Sequence, residues 1–394
     1  MKKYLILFLI LGLDALFLLY ETSQLSIGYS EVTLLNGGFS VLKYIEEFSL
    51  ATFGQNDVAL RLPMILLHLS SALLLFHFSK KYLKYDRDRL WLLVVFILLP
   101  GVLSSSIVVN SAGLVIFSLF LYLNLYSINP YFKYLLLVPI WFVSPSIIFL
   151  YLGLMFYAIK EKNYRFALLN LFLFSSSLYV NGFDTTGLPK GHFLDTLAIY
   201  SAIFTPIVFV YIFYILYRRY VTSREDILWY ISSTAFMISL LLSFRQRLHL
   251  ENFAPYILLA LPIAAQTFYH SYRVRLKQFR GTYKTIFIIS LLFLSLNATM
   301  VLFNKYIYCF LDDPQEHFAY DMHIAKDLAE KLKEKNIACV NANNKKLQLR
   351  LKFYEIGYCQ GNTLSKIKHK DSINVTISYK GCKVYKTYVT KINK

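Results

Sequence analysis

Three short stretches carry side chains that could do chemistry. The first is Gly28-Tyr29-Ser30-Glu31-Val32-Thr33. A carboxylate such as Glu31, held at a membrane surface, can act as a general base. The plainer alternative is a solvated loop acid. The second is Phe53-Gly54-Gln55-Asn56-Asp57-Val58-Ala59-Leu60-Arg61-Leu62-Pro63, a polar turn followed by an arginine. A guanidinium grips phosphate in a bidentate fork, or it snorkels to lipid headgroups. The third is Arg245-Gln246-Arg247-Leu248-His249-Leu250-Glu251-Asn252. Its cations could neutralise a leaving phosphate, although headgroup anchoring would also place arginines there. Asp184, Lys190 and His192 form a weaker polar group in the loop 182–196. Mobile loops of that kind are mostly solvated.

The elements that must position these residues are membrane helices. Of 394 residues, 57% are hydrophobic and only 16% charged. A soluble chain is about half apolar and a quarter charged, and it could not cover this much apolar surface. The net charge of +18 would suggest nucleic acid in a soluble protein. Here it orients the chain, and no nucleic-acid partner is expected. Apolar stretches long enough to span lie near 4–20, 59–78, 90–107, 112–128, 133–145, 146–160, 166–181, 197–217, 227–244, 253–270 and 285–304. That predicts a mainly α, polytopic bundle of about eleven spans. The first reads as an uncleaved signal anchor. The pair at 133–160 is short for two crossings, and Pro139 and Pro145 suit a bent hairpin.

Loops assigned inside are short and basic: Lys80-Lys81 to Arg89, Lys160 to Arg165, Arg218-Arg219 to Arg224, and Arg273 to Lys284. This follows the positive-inside rule. Arg245 and Arg247 fall on the other side, where orientation does not call for them. The first outer loop contains Phe39, Leu42, Ile45 and Phe48 at helical spacing, opposite Lys43, Glu46 and Glu47. It predicts an interfacial helix lying along the outer membrane surface. Asp14 inside the first span reads as an interhelical hydrogen-bonding group, with His68 and His77 as packed or interfacial residues.

Hydropathy collapses after Asn304, dividing the chain into a membrane domain, 1–304, and a small α/β domain, 305–394. The latter is expected on the outer face and carries net +8 from Lys305 onward. Ile324, Leu328 and Leu332 predict an amphipathic helix over 321–335. Strands are predicted at 337–340 and 373–377. Cys309, Cys339, Cys359 and Cys382 could pair in three ways in an oxidising compartment, or remain free thiols in a cytosolic tail. No spacing suggests zinc. Glu31, His249 and Glu251 could hold a divalent cation, but nothing in the sequence requires a cofactor.

Three of these features resemble the GT-C glycosyltransferases of the inner membrane, in particular the aminoarabinose transferase and protein mannosyltransferase group. They are Tyr29-Ser30-Glu31-Val32-Thr33 after the first span, an interfacial helix in the first outer loop, and Gly54 with Ala59-Leu60-Arg61-Leu62-Pro63 opening the second span. The group usually has an Asp-Glu pair leading into the Tyr-x-Glu stretch. Gln24-Leu25-Ser26-Ile27 stands there instead, leaving Glu31 as the nearest match. The group's Lys-Pro-Pro is absent. The resemblance implies a bacterial inner-membrane enzyme with a periplasmic C-terminal domain. It would transfer sugar, with inversion, from a polyprenyl-phosphate donor to an envelope acceptor, whether lipid, glycan or protein. Glu31 would be the base. Arg61, Arg245, Arg247, His249, Glu251 and Lys190 would bind substrate. The alternatives are a flippase of lipid-linked sugars, for which inverted repeats are expected and not seen, and an oligosaccharide ligase or polymerase.

Overall fold

The computed structural model describes residues 2–129, 131–182, 191–368 and 372–391. Asp184 and Lys190 lie outside them. Helix α1 (Lys2–Gln24) runs into an extended segment, 25–28. Two short helices follow, α2 (Tyr29–Leu35) and α3 (Val41–Phe53), before α4 (Asp57–Phe78). Asn56 starts α4 by accepting the Ala59 N–H at 2.7 Å, which satisfies one of the four donors a helix leaves open at its start. Next come α5 (Asp86–Leu98), α6 (Pro100–Ile107) and α7 (Ser111–Ile128). Pro100 forces the preceding Leu99 into an extended conformation, and α6 leaves α5 at 62°. The chain continues through α8 (Phe132–Leu135), α9 (Leu137–Trp141), α10 (Ile148–Lys160), α11 (Tyr164–Asn181), α12 (Phe193–Phe204) and α13 (Pro206–Val221). The α12–α13 bend is 107°, and its pivot is Thr205 at φ 63° ahead of Pro206. A β-branched residue seldom adopts that conformation. Helices α14 (Ile227–Ser243), α15 (Ala254–Ile257), α16 (Leu261–Val274) and α17 (Arg280–Leu302) complete the bundle.

Among the described residues, four helices are long and apolar enough to cross a membrane, or up to six if each bent pair is one span. Other apolar helices, 132–141 among them, are shorter. At about 1.5 Å per residue, the α8–α9 segment reaches roughly half of a ~30 Å hydrocarbon core. The stretch 133–145, expected to be short for a full crossing, is a broken half-length pair.

Ion pairs tie the basic loops into one face. Lys3 reaches Asp86 at 2.9 Å, Lys160 reaches Glu225 at 3.1 Å, Arg219 reaches Asp226 at 3.3 Å, and Arg273 bonds Asp88. Two buried tyrosine hydroxyls tie helices to the backbone: Tyr256 donates to Ser146 O at 2.7 Å and Tyr151 to Leu137 O at 2.8 Å. His68 Nε2 lies 2.8 Å from Asp14 Oδ2, the interhelical bond expected for that acid.

The interfacial helix α3 divides its apolar set between the protein and the bilayer, and turns one of its glutamates inward. Leu42, Glu46 and Ser49 are buried, while Phe39 and Phe48 are 74% and 73% exposed. Ser49 Oγ donates to Ala59 O at 2.6 Å, which turns the small polar side toward α4. The aromatic side is left for the bilayer to cover, as an interfacial helix requires.

The tail has a core of its own around Leu328, Leu332, Val340, Leu351, Ile356 and Val389. Helices α18 (Ile324–Glu334) and α19 (Lys345–Phe353) accompany an antiparallel sheet of β1 (Asn362–Ser365), β2 (Ile373–Tyr379) and β3 (Cys382–Lys391), in the order β1-β3-β2. The predicted strand at 337–340 forms only a single bridge, Cys339 to Gly357. The cysteines pair as Cys309–Cys382 and Cys339–Cys359.

At the tail's root, Tyr308 stacks on His317 and bonds His323 Nδ1 at 2.9 Å. Burial pushes the His323 pKa down to about 3 from its ordinary 6.5. The unfolded chain binds the extra proton, so the stability of this histidine's site is intact above about pH 6.5 and drains away as pH falls toward 3, by about 1.4 kcal/mol per pH unit. Limited proteolysis of the tail is expected to accelerate over that range in wild type and much less in His323→Gln. Equal acceleration in both would exclude His323 as the cause.

Candidate functional site

The site is built around residues 22–28, where α1 stops. Arg61 comes from the first turns of α4 and is completely buried, as is Glu31 from α2. The pair is bidentate, with Arg61 Nη2 2.8 Å from Glu31 Oε2 and Nε 3.1 Å from Oε1. Arg61 also donates to Leu25 O at 2.9 Å, Ser26 O at 2.8 Å and Thr22 O at 3.5 Å. Glu31 further accepts the backbone N–H of Gly28 at 2.7 Å and of Val109 at 2.9 Å. A guanidinium has five N–H donors, and here all five are spent.

This geometry corrects two expectations. A general base must offer a lone pair to a substrate proton, but each Glu31 oxygen already takes two donors and neither reaches solvent. A phosphate ligand must have free N–H groups, and Arg61 has none. The pair holds the juxtamembrane segment instead. It pins Thr22 to Gly28 against α4 and the start of α7.

The tail clamps the same segment from the water side. Arg350 of α19, also buried, donates to Ile27 O at 2.9 Å and Ser26 Oγ at 3.3 Å. Tyr354 accepts the Ile27 N–H at 2.8 Å and donates to Asp57. Lys326 donates to Ser23 O at 2.8 Å and pairs with Asp57 at 3.3 Å. The Ser26 N–H donates to Met322 O at 2.7 Å. Sequence reasoning missed Arg350, Tyr354 and Asp57 as part of this region. In Lys345-Lys346-Leu347-Gln348-Leu349-Arg350-Leu351-Lys352, one arginine among basic neighbours gives no sign that it alone turns inward.

Beside the segment lies an apolar groove made of two adjoining cavities, about 280 and 130 Å³. Gly101, Ser104 and Ile203 line both. A Cβ on Gly101 would collide with Ile203, so the glycine permits the close approach of α12 to α6. One end is walled by Leu25 and Met322. The other ends at Asn110, Glu251 and Pro255.

The structure divides the expected site residues accordingly. Arg245, Arg247, His249 and Glu251 are exposed, and their side chains make no ion pair or hydrogen bond among the described residues. Their loop is anchored by the His192 N–H to Ser243 O bond at 2.7 Å and by Phe193 stacked on Phe244. Glu251 alone of the expected acids faces the groove. The cation set of Glu31, His249 and Glu251 is not assembled, because Glu31 is enclosed by Arg61's fork. Among the described residues no three potential metal-binding side chains of this kind converge.

No protein-family model matches the chain, and no curated protein does. Solved structures do. ArnT from Cupriavidus metallidurans in the apo state superposes with a TM-score of 0.56 at 11% identity, covering 98% of each chain. The same protein bound to undecaprenyl phosphate gives 0.58 at 12% identity, with the same coverage. The chain has the ArnT fold. That is the fold the motifs around Glu31 and Arg61 pointed to, although both residues sit deeper than their spacing suggested.

Proposed function

We propose that this protein is a membrane glycosyltransferase that moves a sugar from a polyprenyl-phosphate carrier to an envelope acceptor, with inversion, at the outer face of the bacterial inner membrane. The observation that carries the reading is the apolar groove ending at Glu251, beside a loop whose Arg245, Arg247 and His249 side chains have no partner among the described residues. The groove suits an isoprenoid chain, and the loop suits its phosphate. The ArnT fold, with one solved example bound to undecaprenyl phosphate, supports the choice of carrier. The acceptor hydroxyl or amine attacks the anomeric carbon as the bond to the lipid phosphate breaks. Its proton passes to Glu251, and the new charge on the phosphate is met by Arg245 and Arg247. Sidedness is supported by the basic loops gathered on the face opposite the tail and by two disulfides in the tail, which fit an oxidising compartment.

The test is product formation by purified protein in bilayers, supplied with a panel of polyprenyl-phosphate sugars and envelope acceptors. Glu251→Gln is expected to lower turnover at least 100-fold while leaving donor binding near wild type. Full turnover in Glu251→Gln would remove it as the base. Donor binding without any transfer by wild type would sink the enzyme reading.

A further inference from the structure

A second, larger groove opens among the helices at the opposite end of the bundle, of about 480 Å³. Its walls are Trp91 and Val95 of α5, Val208 and Tyr211 of α13, Ala265 of α16 and Phe287 of α17. It exists because α17 barely touches the bundle, burying only Leu294 and Ala298 of its 23 residues. Along α17 the lining runs from Tyr283 to Ser290, a rise of roughly 10 Å, most of the depth of one leaflet.

One end of this groove is strongly basic. Tyr283, a lining residue, accepts a hydrogen bond from Arg275 Nη2 at 2.9 Å and lies under its guanidinium at 4.3 Å. Arg280 donates only to backbone carbonyls, Arg275 O at 2.9 Å and Arg273 O at 2.8 Å. Lys277 and Lys284 are exposed and make no ion pair among the described residues. No Asp or Glu occurs between Glu251 and Asp312. Among the described residues, only Arg273 of this set has an acidic partner, Asp88 from α5. Four cations therefore stand unneutralised at the mouth of an apolar slot.

We propose that this groove holds one acyl chain of an anionic phospholipid, with its phosphate at Arg275, Lys277, Arg280 and Lys284. A methylene needs about the 30 Å³ that a water takes in the liquid, so the space fits a single fatty-acyl chain. The site lies on the face of the basic loops, away from the groove that ends at Glu251, and it stands whether or not sugar transfer is confirmed. The lipid fills the gap that the bundle leaves behind α17, the helix that carries the tail and its clamp on residues 22–28.

Native mass spectrometry of the full chain in detergent, titrated with phosphatidylglycerol or phosphatidylcholine of the same acyl composition, tests this. Phosphatidylglycerol is expected to be retained at least tenfold over phosphatidylcholine. The double variant Lys277→Gln/Lys284→Gln should cut that preference below threefold while still holding a chain. Ala265→Trp, which fills the slot, should abolish retention of both lipids. Equal retention of the two lipids by wild type overturns the proposal. So does displacement of phosphatidylglycerol by millimolar inorganic phosphate, which would mark a phosphate site without a chain. Preferential displacement by undecaprenyl phosphate would assign the groove to the carrier and likewise overturn it.

Discussion

Glu31→Ala is expected to destabilise the protein by about 3–5 kcal/mol, the usual result of stranding one member of a buried ion pair. The size follows from saturation. Arg61 would keep three backbone carbonyls as acceptors, at Thr22, Leu25 and Ser26. It would lose its only direct charge partner in a site with no solvent access. The N–H groups of Gly28 and Val109 would lose their acceptor as well. Arg61→Lys should fall in the same range, because three rotatable donors cannot serve a site shaped for a planar fork. Glu31→Leu/Arg61→Met, which removes both charges, should recover most of the loss, since a well-packed apolar pair is often as stable as the ionic one. Thermal unfolding in detergent measures all three, with exposed Glu47→Ala as the surface reference. If Glu31→Ala melts together with Glu47→Ala, the pair does not hold the segment.

What the sequence disclosed about this region depended on which physical signal each residue leaves. The membrane helices are legible because hydrophobic length is a property of composition, and the basic loops because orientation selects for charge. The turn before Arg61 is legible because Gly, Asn and Asp have few other places to be. Burial of a charge leaves no such trace. Glu31 and Arg61 have the same spacing whether they face a substrate or each other, and 30 residues separate two side chains that the fold puts in contact. The clamp by Arg350 and Tyr354 is less visible still, since their partners at Ser26, Ile27 and Asp57 lie some 300 residues away. The loop of Glu251 drew notice because Arg245 and Arg247 fall where the expected orientation does not call for them, but nothing in its sequence set Glu251 ahead of Glu31 as the candidate base. Helix α3 is legible as interfacial, but not which of its side chains turn to the protein: Glu46, on the expected polar side, packs inward beside Leu42 and Ser49, while Phe48 is left to the bilayer.

Glu46 on this helix is buried, and its carboxyl oxygens have no hydrogen-bond partner among the described residues. Glu46→Gln is therefore expected to stabilise the protein, with a gain that depends on pH. Burial is the main cause, and the nearby Glu31 adds to it. Together they push the Glu46 pKa up to about 9 from its ordinary 4.5, against a smaller opposing pull from Arg61. The folded state thus holds a proton that the unfolded chain releases. Below about pH 4.5 both states are protonated, and Glu46 costs little more than an amide of the same shape. Between 4.5 and 9 each pH unit removes about 1.4 kcal/mol, so the variant's advantage near neutrality is on the order of 3 kcal/mol. Unfolding midpoints of wild type and Glu46→Gln should converge at pH 4–5 and separate steadily as pH rises. Parallel pH profiles would mean that Glu46 is charged and partnered in the membrane-bound protein. The slope also discriminates between the two acids near Arg61. Glu31 already fills the guanidinium's fork, so Glu46 has no cation left to ionise against. Removing Glu31 should free Arg61 and lift the repulsion from Glu31, so the Glu46→Gln advantage should shrink in the Glu31→Ala background, a non-additivity expected of residues that interact or share a partner.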